Sequence, residues 1–382
     1  MPDLPKNLSR KFEKRVAENA LREMPLQDSL VDFSSNDYLG FSREKWISDR
    51  TKEILNQNDL SNSATGSRLL TGNHILYKKL EEQLCNFHNS EAALVFNSGY
   101  DANLGFFSAI PQRGDYVFYD ELIHASIRDG IKLGNAKAYK FKHNDISDLK
   151  SKLILLRSKT PEITIYIVTE SVFSMDGDSP DLNVLVDLCA NNNYYLVVDE
   201  AHAMGVFGNG LCQELKVESK IFARVVTFGK ALGCHGAAIL GSKALKQYLV
   251  NFARSLIYTT ALPPHTIASV IAGYEFLVSK NGRAYQNNLL ENIAYFKRLI
   301  VEQGIENNFI ESNSAIQSIW IPGNKEVKTI SKLFNEEGFN VKAILSPTVQ
   351  VGKERLRFCL HAFNTKATIK KIVQRLKKYI DG

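Results

Sequence analysis

The 382-residue chain is poor in cysteine, in charge of one sign and in long apolar runs. Its five cysteines, Cys85, Cys189, Cys212, Cys234 and Cys359, are odd in number, widely spaced and never arranged Cys-x-x-Cys. That pattern argues against a disulfide framework and against a thiolate metal site, and it suits a reducing compartment, so a cytoplasmic protein without a metal is expected. The first residues carry no apolar core behind their charges. No later run approaches the roughly 20 apolar residues of a membrane span, so no export and no membrane partner is expected. Net charge is only +6, with bases scattered among acids, which gives no cause to expect nucleic acid as a partner. Internal repeats and low-complexity tracts are absent. With 44% hydrophobic content, the chain can bury a large core divided between two domains.

The spacing of apolar residues predicts an α/β protein. Leu8, Phe12, Val16, Ala20 and Met24 recur at four-residue steps and predict a helix up to Pro25. Leu30 to Ser34 reads as a short strand, Glu44 to Asn56 as a helix, and Ser61 to Asn73 as a long loop rich in glycine and hydroxyl residues. From His74 to Phe228, helical stripes alternate with short continuous Val/Ile/Tyr runs. Such runs indicate a mostly parallel sheet covered on both faces. Beyond Leu256 a long helical region extends to about Gln303. Three further strand candidates, at 315–321, 340–345 and 356–360, then alternate with helices and form a smaller α+β domain. The segments expected are 1–44, 45–270 and 271–382.

Ligands of parallel sheets gather at the carboxyl ends of strands, which makes the residue after each apolar run informative. Gly99 and Tyr100 follow Ala92 to Phe96 and open a helix whose free amides suit a phosphate; an ordinary glycine turn explains them equally. His124 opens another helix after Asp115 to Tyr119, as a functional residue or as a cap. Glu170 to Asp178 carries acids and Ser174. Asp199 ends the apolar strand Tyr194 to Val198, where an unpaired carboxylate is costly and a cationic partner is expected; capping a helix is the alternative. Lys230 lies in a small-residue turn between Val225 to Phe228 and Ala237 to Leu240. Burial there disfavours the ammonium form, so the amine is a candidate nucleophile toward an aldehyde, the chemistry of pyridoxal phosphate (PLP); a solvated surface lysine is the ordinary alternative. Arg355 and Arg357 share a strand face and could grip a carboxylate, or mark an exposed edge. Asp199-Glu-Ala-His202 also matches a nucleic-acid-dependent ATPase box. That chemistry needs a Gly-x-x-x-x-Gly-Lys-Ser/Thr loop, and here Lys230 is followed by Ala231 while Arg224 occupies the first glycine position.

Several long stretches in order resemble the α-oxoamine synthase family of fold-type-I PLP enzymes over nearly the whole chain. They are Phe33-Ser-Ser-Asn-Asp-Tyr-Leu-Gly40, Gly66-Ser-Arg-Leu-Leu-Thr-Gly72, Glu170-Ser-Val-Phe-Ser-Met-Asp-Gly-Asp178, Val198-Asp-Glu-Ala-His202, Thr227-Phe-Gly-Lys230 and Ile257-Tyr-Thr-Thr260. The resemblance implies Lys230 as the Schiff-base lysine and base, and Asp199 as partner of the pyridine nitrogen. It implies His202 and Ser174 around the phenolic oxygen, and His124 stacked on the ring and in contact with substrate. Gly99, Tyr100 and Thr227 become cofactor contacts, and Thr259 and Thr260 reach the phosphate of a neighbouring subunit, hence a homodimer. Asn36, Arg22, Thr348 and Arg357 fall at substrate-binding positions, Arg357 at the grip on the amino-acid carboxylate.

The reaction so implied is a decarboxylative Claisen-type condensation of L-alanine with a pimeloyl thioester, carried on coenzyme A or an acyl carrier protein. Other members of the family use glycine or serine with other thioesters, and a non-catalytic partner subunit is a further alternative. One stretch departs from the family: Ile344-Leu-Ser-Pro-Thr-Val349 carries Leu345 where many members have arginine. Arg22 is the candidate to replace that cation near the acyl chain.

Overall fold

A computed structural model describes residues 4–22, 24, 29–58, 60–157 and 163–381. The chain resolves into two compact units, one of residues 36–174 with 179–288, the other of residues 1–35, 175–178 and 289–382.

The larger unit is built on seven strands, β1 (Ala92–Phe96), β2 (Tyr116–Asp120), β3 (Lys137–Phe141), β4 (Ile165–Glu170), β5 (Tyr195–Asp199), β6 (Ala223–Thr227) and β7 (Ala237–Gly241). They pair in the order β1-β7-β6-β5-β4-β2-β3. All pairings are parallel except those of β7, which runs antiparallel to both β1 and β6. The register sets Glu170 opposite Asp199, and Thr227 opposite Ala237.

Continuous apolar strands follow from burial on both faces, because successive side chains point to opposite sides. In β4, Tyr166 and Val168 join a core that includes Phe106, Ile127 and Leu249, on helices Gly99–Ala109, Ala125–Leu133 and Lys243–Phe252. Ile165 and Ile167 join the opposite core with Leu153, Leu185 and Val186, on helices Ile146–Arg157 and Leu182–Asn192. Side-chain caps fix where these helices start. Ser98 Oγ accepts from Asp101 N, Asp181 from Val184 N and Ser242 from Leu245 N.

In the smaller unit, strand Arg355–Cys359 lies between Lys342–Ile344 and Ile316–Trp320, antiparallel to each. Helices Asn324–Glu336 and Lys366–Asp381 follow in this unit, and Val31–Asp32 pairs in parallel with Phe339–Asn340.

The structure departs from the sequence reading in four places. The first helix covers only Lys6–Ala17 and buries none of its residues, so its apolar stripe reflects no core packing within the chain; Pro25 lies outside the described residues. The long helical region is two helices, Pro264–Val278 and Lys280–Glu302, because Ser279 interrupts the first and its hydroxyl accepts from Gly282 N. The two units divide at 288/289, and residues 1–35 group with the carboxyl-terminal segment, where the reading set boundaries at 44 and 270. Finally, Arg355 and Arg357 lie on a central strand and are each only 5% exposed, which rules out an exposed edge. No helix among the described residues is long and apolar enough to cross a membrane.

Candidate active site

The carboxyl ends of β1, β4, β5 and β6 open into one cavity of about 260 Å³ in the larger unit. Asp199, the last residue of β5, lies against one wall with Ala201 and His202, and Lys230 reaches the cavity from the turn after β6. Thr227 closes β6, Glu170 closes β4, and Ser98, Gly99 and Tyr100 begin the helix after β1. His124 and Asn36 complete the predicted residues that line it.

Local backbone structure places each group. In the Lys230 turn, Gly233 N donates to Lys230 O at 2.8 Å, Cys234 N to Phe228 O at 2.8 Å and Phe228 N to Gly236 O at 2.9 Å. Gly233 has φ +62°, a conformation that glycine adopts at little cost. Asp199 accepts from Ala201 N on Oδ1 at 2.9 Å and from Asn103 Nδ2 on Oδ2 at 2.9 Å. The same Asn103 nitrogen donates to Ser126 Oγ at 3.0 Å, and Ser126 Oγ lies 2.7 Å from His124 Nδ1. His202 Nδ1 is 2.7 Å from the Tyr38 hydroxyl, which donates to Asn36 Oδ1 at 3.2 Å. His124 N donates to Glu170 Oε1 at 2.6 Å.

Burial dominates the electrostatics. It pushes the His124 imidazole below its ordinary value, with Lys230 and Arg128 acting in the same direction and Asp199 opposing. The Glu170 carboxyl, 2% exposed, is driven well above the usual carboxylate range, first by burial and then by Asp199. The cavity therefore combines an amine, a neutral imidazole, a carboxylate with two N–H donors and a carboxyl that favours its protonated form.

These features fit pyridoxal phosphate. An amine for the aldehyde and a carboxylate for the ring nitrogen face one space, and a helix of 11 residues presents its first turn to the wall. A methyl group on Gly99 would meet Thr227 Cγ2 at 2.7 Å, so glycine keeps that wall clear.

Six of the predicted residues are not among the cavity-lining groups: Ser174, Thr259, Thr260, Arg22, Thr348 and Arg357. Ser174 is half-buried in the stretch after β4. Asn97 Nδ2 donates to Thr259 Oγ1 at 3.2 Å and to Thr260 O at 2.8 Å, which ties both threonines to the residue just before Ser98. In the smaller unit, Arg22 Nη2 donates to Thr348 Oγ1 at 3.3 Å, and Thr348 N to Leu345 O at 2.9 Å. Arg357 Nη1 donates to Cys359 Sγ at 2.9 Å. Conversely, Asn103, Ser126 and His235 line the cavity although the motifs did not single them out. Asn103 sits four residues beyond Gly99 on one helix, a spacing that puts both on the same face and could have revealed it.

A sheet with its carboxyl edge turned to a lysine and a carboxylate in this arrangement defines a fold-type-I PLP enzyme. The aminotransferase class I and II profile matches residues 28–376. An 8-amino-7-oxononanoate synthase from Emericella nidulans is 39% identical over 97% of this chain and 94% of its own. Among solved structures, a serine palmitoyltransferase from S. paucimobilis with a bound PLP–myriocin aldimine superposes with TM-score 0.86 at 25% identity, over 98% of this chain and 96% of that one. An 8-amino-7-oxononanoate synthase from Francisella tularensis gives TM-score 0.77 at 29% identity, over 93% of this chain and 99% of that one. The chain belongs to the aminotransferase class I and II family, and within it is a PLP-dependent acyltransferase of the α-oxoamine synthase kind.

Proposed function

We propose that the protein condenses L-alanine with a pimeloyl thioester, on coenzyme A or an acyl carrier protein, to give 8-amino-7-oxononanoate, carbon dioxide and free thiol, a step of biotin biosynthesis. The observation that carries this reading is the convergence of Lys230, Asp199, His124 and His202 on one cavity, in a chain so similar to a synthase of that name.

Bound in the cavity, the cofactor supplies an aldehyde for the substrate amine and a pyridine ring that withdraws the electrons freed at Cα. Lys230 Nζ takes the Cα proton of alanine and later returns a proton to the product carbon. Asp199 holds a proton at the ring nitrogen. His124, kept neutral by burial, covers the ring face without adding a cation and keeps water from it. The first amides of the Gly99–Ala109 helix and Thr227 bind the phosphate, with Thr259 and Thr260 of a second copy completing that contact in a homodimer. His202 and Ser174 hydrogen-bond the phenolic oxygen, and His202 is itself oriented by Tyr38. Arg357 binds the amino-acid carboxylate, and Asn36, Arg22 and Thr348 bind substrate.

The test is turnover of alanine, glycine and serine side by side with short, pimeloyl and long acyl thioesters, read by product mass. The proposal expects 8-amino-7-oxononanoate from alanine and the pimeloyl thioester as the main product. Preferred use of glycine or serine would reassign the substrates within the same family, and no product from any pair would leave a non-catalytic partner subunit as the reading.

A further inference from the structure

We propose that Asn103 is a positioning residue of this site: its single side-chain NH2 group, acting through Ser126, fixes the His124 proton on Nε2 and at the same time holds the Asp199 carboxylate. The proposal rests on reading the cavity as the cofactor site.

The direction of each bond follows from the donors. The Ser126 backbone N–H points at His124 Nδ1 at 3.3 Å, so that nitrogen is an acceptor. The Ser126 hydroxyl, 2.7 Å from the same atom, must then donate to it. Its oxygen is left to accept from Asn103 Nδ2 at 3.0 Å, and the second hydrogen of that nitrogen goes to Asp199 Oδ2 at 2.9 Å. A carboxylate oxygen can face only the nitrogen side of the amide, which settles the amide orientation. With Nδ1 occupied, neutral His124 carries its proton on Nε2.

Two further observations support a dedicated role. Asn103 is 2% exposed, yet among the described residues its Oδ1 has no hydrogen-bond partner; the side chain forgoes an acceptor bond, at some cost, while donating twice from nitrogen. The helix carrying it also packs closely on the Ala125–Leu133 helix, since a methyl on Gly130 would meet Asn103 O at 2.8 Å. That close approach brings Asn103 within reach of Ser126. Besides Asp199 and His124 themselves, the charged or titratable groups at the cavity are Tyr100, Glu170, His202, Lys230 and His235, with Arg128 and Asp129 on the neighbouring helix.

Two measurements test the assignment. In the cofactor-free full chain labelled with 15N-histidine, with His124 identified by its loss in His124→Asn, the expected pattern is protonated Nε2 and unprotonated Nδ1. A wild-type His124 protonated on Nδ1 overturns the proposal. The second measurement uses Asn103→Asp, which keeps the shape but sets a second carboxylate against Asp199. Titration with pyridoxal phosphate, read by absorbance, should show the variant-to-wild-type ratio of dissociation constants rising about tenfold or more between about pH 6 and about pH 8.5, as the shared proton is lost. An unchanged ratio overturns the proposal; if circular dichroism shows that the variant is misfolded, the wild-type tautomer alone decides. Failure of the wild type to bind pyridoxal phosphate would instead overturn the cofactor reading of the cavity.

Discussion

Glu170 shows how far burial alone can set a side chain's chemistry. Its Oε1 holds the His124 amide, and burial beside Asp199 keeps the carboxyl protonated well above the ordinary value of 4.5. The native state thus retains a proton that the unfolded chain releases, so stability falls as pH rises from 4.5 toward the native midpoint. Glu170→Gln removes this cost: its unfolding midpoint should exceed that of the wild type at pH 8, with the difference vanishing below pH 4.5, as thermal scans across pH would read. The role proposed for Arg22 bears on specificity. Its side chain hydrogen-bonds Thr348 next to Leu345, so Arg22→Ala should raise KM for the pimeloyl thioester by about tenfold, the scale of a lost charge-assisted hydrogen bond, with alanine KM little changed. Steady-state kinetics with each substrate varied in turn would read both, and an unaltered thioester KM would remove Arg22 from that role. At this scale the sequence made Lys230, Asp199, His124 and His202 legible as candidates, because Asp199 ends an apolar strand, His202 and Lys230 lie within three residues of a strand end, and His124 opens a helix. It left Asn103 and Ser126 unremarked: the spacing from Gly99 could have put Asn103 on the cavity face, but its bond to Ser126 depends on the close approach of two helices.

Among the elements, the turn that carries Lys230 is tightly constrained. At Gly233, with φ +62°, a methyl would meet the Phe41 carbonyl carbon at 2.7 Å and the Ser42 nitrogen closer still. Gly233→Ala should therefore destabilise the protein by about 1–3 kcal/mol in denaturant titrations and weaken cofactor binding, because the same residue donates to Lys230 O. The strands of the main sheet were readable to within a residue or two, most from continuous apolar runs, although the edge strand Lys137–Phe141 carries two lysines and is largely exposed. Less was legible where a segment's partner is remote in sequence: the strand at Val31–Asp32 was readable within Leu30 to Ser34, but its pairing with Phe339–Asn340 was not, nor was the split at Ser279, whose hydroxyl accepts from Gly282 N. The helix Lys6–Ala17 was recognisable from its stripe, but period alone could not say that none of it is buried.

For the molecule as a whole, acid should be a specific weakness. His88 is fully buried, with Nε2 2.9 Å from the Tyr274 hydroxyl, and burial reinforced by Arg224 holds its pKa down to about 3. The unfolded chain takes up a proton below the ordinary value of 6.5 and the native chain does not. Stability from this source is thus intact above pH 6.5 and declines by about 1.4 kcal/mol per pH unit on acidification toward pH 3. His88→Gln should flatten that slope in urea titrations between pH 6.5 and 5. The change in pattern after Leu256 suggested a boundary near 270, while the grouping of residues 1–35 with the carboxyl-terminal unit was not legible, because no local signal records a long-range contact.

The central claim is that the amine of Lys230 bonds the cofactor aldehyde while Asp199 anchors its ring. Borohydride reduction of the protein loaded with pyridoxal phosphate, followed by proteolysis and mass spectrometry, tests this most directly. The account predicts the mass of a reduced pyridoxyl phosphate on the peptide containing Lys230, and its loss in Lys230→Ala. Cofactor mass fixed to a different lysine, or to none, would contradict it.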